Sequence, residues 1–121
     1  MKLEKSIIVF LTLVILIGIL YFFFRKVEFF ESKPTVTYYY LPSCGWCQKF
    51  SPVWDEFENS VKKDNVPVVT RKVNANEAGE EVDKYGIQGF PHVQMVKNDT
   101  ATVFEDDRSV ASLMKFVQSN L

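Results

Sequence analysis

Apolar positions along the chain follow three patterns, and each predicts a different kind of element. Residues 6–24 form an unbroken apolar run, Ser-Ile-Ile-Val-Phe-Leu-Thr-Leu-Val-Ile-Leu-Ile-Gly-Ile-Leu-Tyr-Phe-Phe-Phe, without a charge. At about 1.5 Å per residue, a helix of that length reaches roughly 28 Å, close to a hydrocarbon core of about 30 Å. A core helix of a soluble domain would carry a polar face, and this run has none. Farther on, Thr35-Val36-Thr37-Tyr38-Tyr39-Tyr40-Leu41 is β-branched and aromatic, the composition of a buried strand, and Pro42-Ser43 ends it. From Cys44 the period lengthens. Phe50, Val53, Trp54, Phe57 and Val61 make one helical stripe, with Asp55, Glu56, Glu58 and Lys62 opposite. Pro52 inside this helix is expected to kink it.

The remaining pattern predicts a strand over residues 66–73 and a helix over 76–85. Ala78, Val82 and Tyr85 form the apolar side of that helix, and Gly86 caps its end. Residues 93–97 and 101–104 flank Asn98-Asp99-Thr100, which reads as a hairpin with a polar turn. A last helix over 108–120 repeats the stripe at Val110, Leu113, Met114 and Val117, and Leu121 extends it. The order strand, helix, strand, helix, strand, strand, helix defines an α/β chain. Its first strand–helix–strand unit should be parallel and right-handed, and its closing hairpin antiparallel. A four-stranded mixed sheet flanked by helices on both faces would bury the stripes.

Three segments follow from this reading: an N-terminal transmembrane anchor with short flanks (1–25), a juxtamembrane linker (26–32) and a folded domain (33–121). A cleaved signal peptide is the rival for the first. Its apolar part would be about 7–15 residues long and would end in small residues. This run ends in Tyr21-Phe22-Phe23-Phe24-Arg25-Lys26, which favours a retained, single-pass anchor. Phe29 and Phe30 in the linker suit either the membrane interface or packing under the domain. Lys2, Lys5 and the amino terminus on one flank balance Arg25, Lys26 and Lys33 on the other, so the positive-inside rule assigns the domain to neither side.

Charge and cysteine content narrow the function classes. Setting aside Lys2, Lys5, Arg25 and Lys26 leaves 10 of the 14 cations; setting aside Glu4, Glu28 and Glu31 leaves 12 of the 15 acids. A mildly acidic domain without a basic stripe is not a nucleic-acid binder. Two cysteines exclude a multi-disulfide scaffold, so Cys44 and Cys47 need an explanation as a pair.

Two thiols three positions apart at a helix start lie on one face and can close a small disulfide ring. Free N–H groups and the helix dipole favour a thiolate at Cys44, the attacking species in disulfide exchange. Cys47, about one turn inward, should be more buried and is suited to resolving a mixed disulfide. An inert structural bridge is one alternative. A metal site is another, but structural zinc takes four ligands, and His92 is the sole histidine beside two cysteines. A dimer could pool four thiolates around zinc or an iron–sulfur cluster. Asn98-Asp99-Thr100 also fits a glycosylation acceptor, which matters only for a domain facing a lumen.

The stretch Tyr40-Leu41-Pro42-Ser43-Cys44-Gly45-Trp46-Cys47-Gln48-Lys49-Phe50-Ser51-Pro52 resembles the active-site segment of thioredoxins and protein disulfide isomerase domains, with Pro52 matching their helix proline. Lys84-Tyr85-Gly86-Ile87-Gln88-Gly89-Phe90-Pro91 is similar to the family's second motif, and Lys72-Val73-Asn74 to its second inner strand. The resemblance implies a minimal thioredoxin fold over about residues 35–121, without the family's extra N-terminal strand and helix. It implies a cis Pro91 facing the cysteines, with the backbone before it at Phe90 able to pair with a bound peptide. The implied activity is protein thiol–disulfide oxidoreduction by a monomer on protein thiol and disulfide clients, with no cofactor beyond the dithiol. A binding or chaperone module for membrane or translocating proteins is the alternative from another class. Three positions depart from the family. Tyr38 stands where a buried acid is usual, Ser43 where Trp is common, and Trp46 where thioredoxins have Pro and isomerases His. Trp46 is expected to contact clients. Lys72 and His92 are expected to tune the thiolate or touch substrate, against plainer readings as a solvent-reaching lysine and a strand histidine.

Overall fold

The computed structural model describes residues 1–27 and 32–121. The chain divides into two compact units, Met1–Glu31 and Ser32–Leu121. In the first, α1 (Lys2–Val27) is 26 residues long. At about 1.5 Å per residue that is roughly 39 Å, ample for a hydrocarbon core. Its large apolar side chains are exposed from Leu3 to Phe24, and within it Lys2–Arg25 is long and apolar enough to cross a membrane. Phe29 and Phe30 lie outside the described residues.

In the second unit the elements run β1 (Thr35–Tyr40), α2 (Gly45–Lys63), β2 (Val69–Asn74), a 3-10 turn (Ala75–Glu77), α3 (Gly79–Lys84), β3 (His92–Lys97), β4 (Thr100–Val103) and α4 (Val110–Asn120). The sheet order is β2-β1-β3-β4. β1 pairs β2 in parallel, Tyr38 opposite Lys72, and β3 in antiparallel, Tyr38 opposite Val93. β3 and β4 form the expected hairpin. Asn98 and Asp99 turn it with φ of 49° and 60°, the left-handed pair that a two-residue hairpin turn needs.

Alternation along β1 sends Val36 and Tyr38 to one face of the sheet and Thr37 and Tyr39 to the other. Val36 and Tyr38 meet Val93 and Met95 of β3, Phe50, Trp54 and Phe57 of α2, and Leu113 and Val117 of α4 in one core. The stripe read from residues 50–61 is therefore the buried side of α2. Tyr38 meets the Phe50 ring edge-on, with centroids 4.9 Å apart, and lies 5.4 Å from Trp54. The indole N–H of Trp54 donates to Glu58 one turn on, so its polar edge is satisfied within the helix. On the opposite face Arg71 of β2 pairs with Glu81 of α3 at 2.8 Å.

α2 runs from Gly45 to Lys63 with Pro52 inside it. Two local expectations change. β2 starts at Val69 because Val66 and Val68 close turns first, through Val66 N–H to Val61 O and Val68 N–H to Val66 O. The helix expected over 76–85 splits in two: Asn74 caps the 3-10 turn through its side chain, and α3 begins anew at Gly79. Gly86, with φ of 61°, ends α3 as expected, and Ile87 N–H returns to Val82 O.

Trp54 is fully buried at the centre of this core. Trp54→Ala should lower stability by about 3–5 kcal/mol. Val103→Ala, on the exposed edge strand, should stay within about 0.5 kcal/mol. Denaturant unfolding of the full chain in detergent, followed by circular dichroism, measures both.

Candidate active site

The turn between β1 and α2 places a sulfur where a helix needs an acceptor. Cys44 is the N-cap of α2, with extended backbone, and its Sγ accepts the Cys47 N–H at 3.2 Å. Ser, Thr, Asp or Asn usually fills this role. A thiolate does it better than a thiol, because it adds a full charge at the positive end of the helix. The Cys44 thiol is accordingly held below its ordinary pKa. The hydrogen bond from the Cys47 thiol contributes most, the N–H groups of Cys47 and Trp46 add to it, and the guanidinium of Arg108 assists against partial burial.

Cys47 is 1% exposed, and burial pushes its thiol up. The hydrogen bond to Cys44 acts in the same direction. Both cysteines are free thiols here, the dithiol form of the pair rather than its disulfide. Under them lies Tyr38, whose hydroxyl donates to the Cys47 carbonyl at 3.0 Å and is 3.2 Å from Ser51 Oγ. Desolvation raises this phenol to about 12, so it is a neutral donor across the physiological range. On the open side, the Phe90–Pro91 peptide bond is cis, and the Cys44 thiol points at the Phe90 carbonyl, 3.7 Å away.

A family model described as thioredoxin matches residues 22–119. The chain belongs to the thioredoxin family. Among curated relatives of this thioredoxin-family chain, protein disulfide-isomerase TMX3 of Xenopus laevis is 28% identical over 78 residues, covering 64% of this chain and 17% of that protein. Protein disulfide-isomerase A4 of Mus musculus is 25% identical over 92 residues, covering 75% of this chain and 14% of that protein. The chain thus spans less than a fifth of the length of either of these two relatives. In fold it is similar to the first thioredoxin domain of mouse protein disulfide-isomerase A4, with a TM-score of 0.67 and 22% identity over 80% of this chain and 68% of that one.

Five residues named beside the cysteines divide into two groups in this thioredoxin domain. Trp46, 65% exposed, lies between the cysteines in sequence, while the Phe90 carbonyl of the cis Phe90–Pro91 bond lies toward the Cys44 thiol. Lys72 and His92 have other partners. Lys72 Nζ is 3.9 Å from Asp55 Oδ1 and lies over the Tyr40 ring. His92 alternates with the core residue Val93, so it faces the far side of the sheet, where Nε2 is 3.1 Å from Gln94 Oε1 and its ring lies beside Tyr39. Strand parity decides this, and the position of His92 right after Pro91 does not reveal it. Arg108 was missed. It lies 61 residues beyond Cys47, in the loop before α4, and only folding brings its charge to Cys44 and its guanidinium over Trp46, 6.0 Å from the ring centroid. Among the described residues no three His, Cys, Asp or Glu side chains converge as a metal site.

These shifts fix the sign of a pH profile. Alkylation of Cys44 should rise through an inflection below the ordinary thiol value of about 8.5. Cys47 should resist until higher pH, and Arg108→Gln should move the Cys44 inflection upward. Mass spectrometry of iodoacetamide-labelled peptides between pH 4 and pH 10 resolves the two sites.

Proposed function

We propose that this chain is a single-pass, membrane-anchored protein thiol–disulfide oxidoreductase. The observation that carries the reading is a thiol capping a helix at the mouth of the domain, with a second, buried thiol one turn behind it. Membership of the thioredoxin family and relatives named protein disulfide-isomerases support it. The Cys44 thiolate attacks one sulfur of a client disulfide, the client S–S bond breaks, and one client thiolate leaves. Cys47 then gives up its proton and attacks Cys44 Sγ. The Cys44–Cys47 bond forms, the mixed disulfide breaks, and the second client thiolate leaves. Two electrons pass to the client and two protons end on its thiols.

The reverse sequence oxidises a client dithiol, and the dithiol pair itself is the only redox group required. Stabilising the Cys44 thiolate stabilises the dithiol form and so favours accepting electrons from clients. Tyr38 cannot act as base for Cys47 near neutral pH, so that proton leaves through solvent or the departing client. The exposed Trp46 ring and the Phe90 backbone beside Pro91 are the surfaces a client would touch. The anchor, through residues 6–24, confines the site to the neighbourhood of a bilayer and so to clients found there.

Cys44→Ser should reduce client-disulfide reduction to the buffer rate. Cys47→Ser should keep the first attack and accumulate covalent client complexes that dithiothreitol releases. Non-reducing electrophoresis reads both outcomes, and a Cys44→Ser protein with undiminished activity sinks the proposal. The anchor has its own test. The chain should stay in the membrane pellet through alkaline carbonate, whereas Leu13→Arg with Leu16→Arg should release it, since each central Arg costs about 2.5–3.5 kcal/mol of insertion.

A further inference from the structure

Beside the thiol pair the structure builds a small cleft with an unusual charge arrangement. Trp46 forms one wall of a groove of about 220 Å³, Phe50 and Val53 form its floor, and Lys49 and Arg108 flank it. Both cations lie over the same indole, Lys49 Nζ at 4.8 Å from the ring centroid and the Arg108 guanidinium at 6.0 Å. Among the described residues neither has a carboxylate partner, and the two ion pairs, Arg71–Glu81 and Lys72–Asp55, both lie elsewhere.

Three acids precede Arg108 in sequence, and none forms an ion pair with either cation among the described residues. Asp107 accepts from the Ser112 hydroxyl at the start of α4, and Glu105 and Asp106 line the neighbouring groove on the Pro91 side, which Arg108 also borders. The Trp46 groove itself is lined by two cations and no acid. Two cations held against the ring of Trp46 without a carboxylate contact, one of them close enough to favour the Cys44 thiolate, are complementary to a side-chain carboxylate on whatever that sulfur attacks.

We propose that the Trp46–Lys49–Arg108 cleft selects clients that carry Asp or Glu within a few residues of the reacting cysteine, the carboxylate seated between Lys49 and Arg108. The proposal rests on the exchange reading and adds a substrate class to it. The partner is an extended acidic segment of a protein. Its apolar neighbours lie on Phe50 and Val53.

The test uses the full chain carrying Cys47→Ser, in neutral detergent micelles, and two synthetic peptides differing only by Glu or Gln beside a single cysteine. Each cysteine is supplied as its disulfide with thiopyridine. Cys44 attacks the peptide sulfur, the peptide–Cys44 bond forms, and thiopyridine leaves as the protonated thione, read by its absorbance. The readout is the ratio of the two capture rates, because Arg108 also favours the Cys44 thiolate and that effect is common to both peptides. At low salt the Glu peptide should react about three- to tenfold faster, the range that two partly exposed charge pairs can supply. At 1 M salt, where the screening length is about 3 Å, the ratio should fall toward one. Lys49→Gln with Arg108→Gln should abolish the ratio while capture continues. Equal capture of both peptides by the unsubstituted cleft, or a preference that survives the double substitution, overturns the proposal and leaves exchange intact. Capture of neither peptide overturns the exchange reading and this inference with it.

Discussion

The hydrogen bond from the Cys47 N–H to Cys44 Sγ joins folding to chemistry in this domain. A helix leaves its first N–H groups without partners, and something must accept them. Here the acceptor is the Cys44 sulfur. The same contact closes the start of α2 and favours the charged form of Cys44, whose thiol lies toward the Phe90 carbonyl. In the proposed exchange, reactivity is thus written into a helix cap. The cost falls on the neighbouring thiol: Cys47 lies buried behind the cap and its own S–H is hydrogen-bonded to Cys44, and both keep its proton on.

Position of the cap depends on the sheet. β1 is central, paired on both sides, and its Tyr38 meets the Phe50 and Trp54 rings of α2. That packing fixes how α2 leaves the strand, and the Tyr38 hydroxyl then reaches the Cys47 carbonyl and Ser51. A phenol pushed to about 12 supplies hydrogen bonds without bringing charge under the thiol pair. The interior beneath the site stays neutral, and the cation that acts on Cys44, Arg108, comes from the surface.

Much of this was legible in the residues. The 3.6-residue stripe of α2, the aromatic run of β1 and the Asn98-Asp99 turn each carry a local signal strong enough to survive folding. The Cys-x-x-Cys spacing at a strand-to-helix turn located the site. What escaped notice depends on contacts between distant positions or on parity. Arg108 is one of ten cations in the domain segment, with no motif to distinguish it, and its role exists only because the α4 loop packs beside α2. His92 looked well placed next to Pro91, but one step along a strand moves a side chain to the opposite face. The break between the 3-10 turn and α3 also escaped, because the Asn74 side chain competes locally with the longer helix that the apolar spacing suggested.

The strand order also governs what other chains can reach. Val36 to Tyr40, an unbroken β-branched and aromatic stretch, is the segment that would template cross-strand aggregation if it lay at a sheet edge. It is instead the inner strand between β2 and β3. The two edges go to β2, which carries Arg71 and Lys72, and to β4, four residues long and exposed. Short strands and cations are poor templates for a second copy. A chain anchored as proposed would meet its own copies at high local density, and this ordering of strands keeps its most strand-prone segment out of their reach.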